Sequence, residues 1–348
     1  MSNPGIAVIG AGLIGRTHIA LVNASPACTL AGIADPTEAG RQLAAELQVP
    51  WYADLTQLLA ALRPDGVILA TPNSLPVEQA LQCLAAGVPA LVEKPVAHTL
   101  AEGERLLVAS ESSQVPLLVG HHRMHSPIMA RANAAIVAGE LGELVAVSGS
   151  ALFYKPDAYF AAGPWRSQPG GGPILINMIH EIGNLRYLCG EITAVQAMAS
   201  NARRGFAVED SVALTLAFAN GVLGTFLLSD TAASACSWEQ TSQENKAYPS
   251  YADTDCYHVV GTQGSLSIPT LRMKRYPSVQ DSSWWEPFEY SCLELERQDP
   301  LQAQLQHFCQ VIRGEVEPLV SVRDGLQNLR VTEAIVEAAR CGHTVRID

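Results

Sequence analysis

The stretch Ile6-Ala7-Val8-Ile9-Gly10-Ala11-Gly12-Leu13-Ile14-Gly15 limits what this chain can fold into more than any other. Its first four residues are apolar, rich in β-branching and uncharged, as a strand covered on both faces should be. A helical pattern follows through Ile19, Leu21 and Val22. The three glycines of G-x-G-x-x-G serve different purposes. Gly10 permits the tight turn, Gly12 lets backbone amides approach a pyrophosphate, and Gly15 lets the helix lie close to the strand. The helix start then offers unpaired N–H groups and a positive dipole end to the anion. A second apolar run, 30–34, ends at Asp35, twenty residues past Gly15, where a carboxylate for the adenosine ribose hydroxyls is expected. Pro36 and Thr37 bring no adjacent Arg or Lys to hold a 2′-phosphate, so NAD is expected over NADP. Arg41, a turn or more later, is the one residue that argues the other way.

The 348 residues exceed what one core usually supports, so two domains are expected. A net charge of −12 argues against nucleic acid, because phosphate contacts need clustered Lys and Arg. No cationic start precedes an apolar signal core, and a cytoplasmic location is expected. Residues 211–229 carry no charge and are nearly long enough to span a bilayer. Asn220-Gly221 at their centre, with strand-like runs on both sides, reads instead as a β-hairpin, so no membrane segment is expected. The eight cysteines (28, 83, 189, 236, 256, 292, 309, 341) contain no C-x-x-C pair and fit neither a disulfide framework nor a zinc ribbon.

After Asp35, helical stretches at 38–47, 55–62, 77–86 and 106–113 alternate with buried strands at 67–70, 88–92 and 117–119. Such alternation predicts a doubly wound parallel sheet with helices on both faces, whose ligands sit beyond the carboxyl ends of the strands. Gly10–Gly15, Asp35, Thr71-Pro72-Asn73-Ser74, Glu93-Lys94-Pro95 and His121-His122-Arg123 all fall at such ends. Lys94 emerges from a buried strand. Beside a positively charged nicotinamide its neutral form is favoured, and it could exchange a proton with a substrate hydroxyl. From its neighbours alone it reads equally well as a surface lysine paired with Glu93.

Beyond residue 123 the character changes. Pro164-Trp165-Arg166 and Gly170-Gly171-Gly172-Pro173 lead into a helical run at 174–188. Within it Asn177 and His180 share a face at i, i+3. A place near the helix start disfavours a protonated imidazole and keeps His180 available as a base, although a lone helical histidine is more often a packed core residue. Strand-like runs at 193–199, 212–219, 222–228, 258–260 and 265–268 predict an open, mostly antiparallel sheet. Helices at 301–312 and 325–339 and a short strand at 344–347 close the chain. His121, His122, His125 and His180 lack the carboxylate or second Cys/His set that a metal centre needs, so no metal is expected.

Together these residues resemble the glucose–fructose oxidoreductase/inositol dehydrogenase/rhizopine-catabolism (Gfo/Idh/MocA) family across essentially the whole chain. The resemblance is carried by Gly10-Ala11-Gly12-Leu13-Ile14-Gly15, Ala70-Thr71-Pro72-Asn73, Glu93-Lys94-Pro95, Trp165-Arg166, Gly170–Gly172 with His180, Gly261-Thr262-Gln263-Gly264, Pro318-Leu319-Val320-Ser321 and Asp324-Gly325-Leu326. It implies a Rossmann domain at 1–123 and, at 124–348, an α/β domain with an open sheet used for substrate binding and oligomerisation, the C-terminal helices being able to pack back on the first. It implies NAD(P)-dependent oxidation of a hydroxyl on a sugar, cyclitol or related ring, without metal, in a homodimer or homotetramer. Carried over by residue, Lys94 hydrogen-bonds the reacting hydroxyl and His180 accepts its proton, the two meeting at the nicotinamide. A cis peptide before Pro95 aims Lys94. Arg123, Trp165, Arg166 and Asn177 line the substrate side, and Thr71, Pro72, Asn73, Glu93 and Lys94 join the glycine turn and Asp35 at the cofactor. Two positions depart from the family pattern: Ile176 stands where relatives commonly have an acid, and Pro76 where many have a His. A substrate less polar than a hexose is expected from this, for example a cyclic diol or a carboxylated ring met by Arg123 or Arg166. Two other functions fit the same residues: redox-neutral elimination or glycoside cleavage on tightly bound NAD, and a nucleotide-sensing regulator.

Overall fold

The computed structural model describes residues 3–347. They fall into two compact units: the residues up to His122 with Leu301–Leu329, and Arg123–Pro300 with the residues from Arg330 on.

In the first unit β1 (Gly5–Ile9), β2 (Thr29–Ala34), β3 (Trp51–Tyr52), β4 (Gly66–Leu69), β5 (Ala90–Glu93) and β6 (Leu117–Gly120) form one parallel sheet in the order β3-β2-β1-β4-β5-β6. Helices α1 (Leu13–Ala24), α2 (Glu38–Glu46), α3 (Leu55–Ala61), α4 (Pro76–Ala86) and α5 (Leu100–Glu111) make the crossovers. Strands buried on both faces explain the uniform apolar runs: β4, β5 and β6 are buried along their whole length. The order reverses between β1 and β4, and a dinucleotide crevice opens at such a reversal. Residues 301–329 belong to this unit because they complete its packing. Phe308 and Ile312 press so closely on Gly66 that a Cβ there would lie 2.5 Å from Ile312 Cδ1, and Leu326 fills the place of a side chain on Gly103.

The second unit is built on a nine-stranded sheet. Its strands are β7 (Leu144–Leu152), β8 (Ile192–Ser200), β9 (Ser211–Phe218), β10 (Leu223–Ser229), β11 (Tyr257–Gly261), β12 (Gly264–Ile268), β13 (Arg272–Arg275), β14 (Glu289–Cys292) and β15 (Val345–Arg346). They run in the order β14-β13-β12-β11-β7-β10-β9-β8-β15, antiparallel except where β10 runs parallel to β7. Alternation along β9 and β10 buries Val212, Leu214, Leu216, Phe226 and Leu228 against a core that includes Ile182 and Leu185. The hairpin at Asn220-Gly221 forms, but not as a two-residue turn. Only Gly221 has a positive φ, +87°, and its N–H donates to the Phe218 carbonyl, so the turn closes one residue earlier. No described helix is long and apolar enough to cross a membrane.

Helices α6 (Pro127–Val137), α7 (Asp157–Ala161) and α8 (Ile179–Cys189) belong to this unit. The run expected as one helix over 174–188 begins as a π-helix, Ile174–Met178, and only then becomes α8, which stops at Gly190.

Candidate active site

In the first unit the glycine turn is shaped by what surrounds it. A Cβ on Gly10 (φ +92°) would lie 2.4 Å from the Ala70 carbonyl oxygen, and one on Gly15 would lie 2.0 Å from the Gly10 carbonyl oxygen. Backbone contact excludes side chains at both. Gly12 differs: a Cβ there would meet no described atom within 4 Å, so the protein's own packing does not require glycine there and the backbone lies open to a ligand. Gly12 is also the N-cap of α1, with no side-chain cap and no acid in the first turn, which leaves the N–H groups to an anion. Ala11 is buried, whereas Leu13 is 83% exposed beside Ile14.

Asp35 sits at the end of β2 and is nearly buried. Its Oδ2 accepts the Ala11 N–H at 2.7 Å, and its Oδ1 accepts the Thr37 N–H at 2.9 Å and the Thr37 hydroxyl. Burial pushes this carboxyl up, but the bonds from Thr37 and Ala11 outweigh it and hold it below the usual range, so Asp35 is ionised at neutral pH. Arg41 faces Glu38 at 3.9 Å and lies over the Trp51 ring at 5.5 Å. These features fit a dinucleotide with a free ribose diol.

Farther along the same edge, Thr71 donates its hydroxyl to Gln79 at 2.6 Å, with Pro72 and Asn73 following, and β5 ends at Glu93. Glu93 is buried against His18, Oε1 to Nε2 at 2.6 Å, and its Oε2 accepts the Lys94 backbone N–H at 3.2 Å. Burial raises the Glu93 carboxyl, but His18, His122 and Lys94 together bring it below the ordinary value. The Lys94–Pro95 peptide is cis.

The second unit holds a cavity of about 620 Å³. Of the expected substrate residues, Arg123 and Asn177 line it; Trp165 and Arg166, and the expected base His180, are not among its described lining residues. Arg123 is buried, and its guanidinium is already engaged: Nη1 donates to Glu181 at 2.6 Å and Nη2 to Glu239 at 2.9 Å. Glu181 also accepts the Tyr257 hydroxyl. A substrate carboxylate at Arg123 would share the guanidinium with these two carboxylates. Arg166 lies 3.9 Å from the centre of the Tyr159 ring and donates to the Tyr159 carbonyl. Trp165, next to it, is 53% exposed.

Asn177, within the π-turn, reaches the cavity together with Glu181, four residues on, and His180 is not among the lining residues. His180 is buried at the second position of α8. The helical run starts at Gly172, and the N–H of Ile174 in its first turn donates to Glu209 at 2.9 Å, so the positive field of the helix start is met more than a turn before the imidazole. Among the described residues no cluster of His, Cys, Asp and Glu is arranged to hold a metal ion.

Lys155, Glu181, Glu239 and Asp230 went unnoticed in the sequence. Lys155 does carry a signal, a lone cation between Tyr154 and Pro156 at a strand end. Its Nζ donates to Asn177 Oδ1 at 2.7 Å and lies 4.9 Å from the centre of the Tyr159 ring.

Residues 5–121 match the model of the oxidoreductase family with an NAD-binding Rossmann fold, and residues 129–267 match the GFO/IDH/MocA C-terminal domain. This chain belongs to the GFO/IDH/MocA family. As a member it is an oxidoreductase whose first unit is an NAD-binding Rossmann domain. The rhizopine catabolism protein MocA of Rhizobium meliloti is 27% identical over 336 residues, covering 95% of this chain and 94% of that one. The scyllo-inositol 2-dehydrogenase (NAD(+)) of Bacillus subtilis (strain 168) is 28% identical over 360 residues, covering 98% and 96%. The WlbA dehydrogenase from Bordetella pertussis, solved in complex with NADH and UDP-GlcNAcA, shares the fold with a TM-score of 0.78 at 22% identity, covering 100% of this chain and 99% of its own.

Proposed function

We propose that this GFO/IDH/MocA member is an NAD-dependent dehydrogenase that oxidises a hydroxyl on the ring of a sugar, cyclitol or cyclic diol. The observation that carries the reading is the position of Lys94. It leaves the carboxyl end of β5 on the same sheet edge as the glycine turn and Asp35, where the cofactor site of this fold lies. Gly10–Gly15 and Asp35 would hold the dinucleotide, with Thr71–Asn73 and Glu93 along the same edge. When bound, it supplies the acceptor for the hydride that leaves the ring carbon. Lys94 donates a hydrogen bond to the hydroxyl oxygen of that carbon, and His180 takes the hydroxyl proton as the carbonyl forms. With Ile176 in place of an acid, proton transfer rests on these two side chains.

Asp35 supports NAD over NADP, since an ionised carboxylate accepts from ribose hydroxyls and repels a 2′-phosphate. The name of the Bacillus subtilis relative supports a ring polyol as substrate. The reading takes the chain as a homodimer or homotetramer through the exposed face of the second sheet, where Met198, Leu223 and Leu227 stand out at alternate positions. The test is a panel of aldoses, inositols, dihydrodiols and sugar acids with NAD⁺ or NADP⁺, followed by absorbance of the reduced cofactor. Turnover of one ring class with NAD⁺ is expected; no reduction of cofactor by any member would overturn the reading.

A further inference from the structure

The second unit's cavity is unevenly charged. At one end a single cation, Arg123, faces two carboxylates, Glu181 and Glu239, so that end carries an excess of negative charge. At the other, Lys155 is nearly buried, and its nearest carboxylate, Asp230, stands 3.7 Å away. Asp230 is already shared. Its Oδ1 accepts from Arg204 Nε at 2.9 Å, so one buried carboxylate serves two cations. Arg166, over the Tyr159 ring, adds a third positive charge. The other acids nearby do not restore the balance. Asp157, 3.7 Å from Arg204, has a side chain 96% exposed; Asp210 commits Oδ2 to the Arg203 and Arg204 backbone N–H groups and Oδ1 to the Ser211 hydroxyl; and Glu209 commits Oε1 to the Ile174 N–H and is pushed toward its neutral form by burial. Burial, with Arg166 and Arg204 acting against Asp230, brings the Lys155 ammonium down to about 8. A buried positive charge short of a counter-ion is costly, and an anion brought to it is correspondingly favoured.

The donor geometry agrees. Because Asn177 Oδ1 is occupied by Lys155, the rest of that amide is an N–H donor, and an ammonium has three N–H groups of which Asn177 takes one. Lys155 and Asn177 thus present donors to the same space, and both line the cavity. Tyr159, Tyr248 and Tyr251 supply aromatic walls for a ring.

We propose that this cavity binds the carboxylate of an acidic ring substrate, a uronic acid or a carboxylated cyclitol, with Lys155 as its ion partner and Asn177 as a second donor. The inference rests on the dehydrogenase reading above, and it narrows the substrate class from ring polyols to ring acids.

The test measures binding apart from turnover. D-glucuronate, D-galacturonate and quinate are titrated by calorimetry at pH 7 with NADH present, each against its own carboxamide, which keeps the shape and removes the charge. At least one acid is expected to bind about tenfold or more tighter than its amide, the worth of one charge-assisted contact. Lys155→Met is expected to bring the pair to parity, and Lys155→Arg, which keeps the charge over Asp230, to retain the preference. No acid preferred by the wild type, or a preference that survives Lys155→Met, overturns the proposal. The same compounds with NAD⁺ separate the two claims. Acid binding through Lys155 without reduced cofactor from any compound defeats the dehydrogenase reading alone, whereas turnover confined to neutral rings defeats the ring-acid assignment alone.

Discussion

Asp35 Oδ2 accepts the backbone N–H of Ala11 at 2.7 Å, which fixes the carboxylate at the end of β2 to the glycine turn after β1. The two halves of the proposed dinucleotide site are thereby set to one another by the protein itself. Replacing Asp35 with Ser removes the charge and the fixed acceptor. KM for NAD⁺ should rise by about tenfold or more, the value of one or two hydrogen bonds to a charged group, and KM for NADP⁺ should fall. The measurement is the ratio of kcat/KM for the two cofactors, and an unchanged ratio would show that Asp35 does not read the ribose.

Lys94 gives the second prediction. Lys94→Ala leaves the glycine turn and Asp35 in place, so binding of NADH, followed by its fluorescence, should be largely retained. Removing a group that handles the hydroxyl proton should lower kcat by about 10²-fold or more. Retained turnover would move the proton chemistry elsewhere.

What the sequence made legible was what the backbone requires locally. The strand–glycine–helix succession, the acid at the next strand end and the alternation of helices with buried runs are short-range rules, and the first sheet follows them. The cavity in the second unit depends on partners far apart in the chain. Arg123 meets Glu181 across 58 positions and Glu239 across 116, and no periodicity announces either meeting. The π-turn was hidden for another reason: its apolar spacing passes for ordinary helix. Lys155 was legible only as a lone cation among aromatics until Asn177 and Asp230 were brought beside it.

The Arg123 cluster supports a stability prediction. Arg123→Met leaves Glu181 buried without its cation, and removing one partner of such a pair costs about 3–5 kcal/mol. Chemical denaturation should show a loss of that size, partly recovered when Glu181→Gln is added, since a neutral amide no longer needs the guanidinium. No recovery in the double variant would mean that the loss is one of packing over Trp238, above whose ring the guanidinium lies at 5.8 Å.

Glu244 supplies the pH dependence. It is buried, accepts the Ser126 hydroxyl and the Trp238 Nε1–H (3.0 Å), and is within electrostatic reach of Arg123 and Glu239. Burial pushes its carboxyl up from 4.5 to about 7, against the lowering effects of Ser126, Trp238 and Arg123 and with that of Glu239. The folded chain therefore holds a proton that the unfolded chain has released between pH 4.5 and 7, and stability contributed by this group is full below pH 4.5 and lost as pH rises through 7. A shift of this size corresponds to a loss on the order of 3 kcal/mol across the window. Glu244→Gln cannot release the proton and keeps an acceptor for the indole, so its unfolding free energy should decline less than that of the wild type from pH 4.5 to 7. Parallel curves for the two proteins would place the titration on another group.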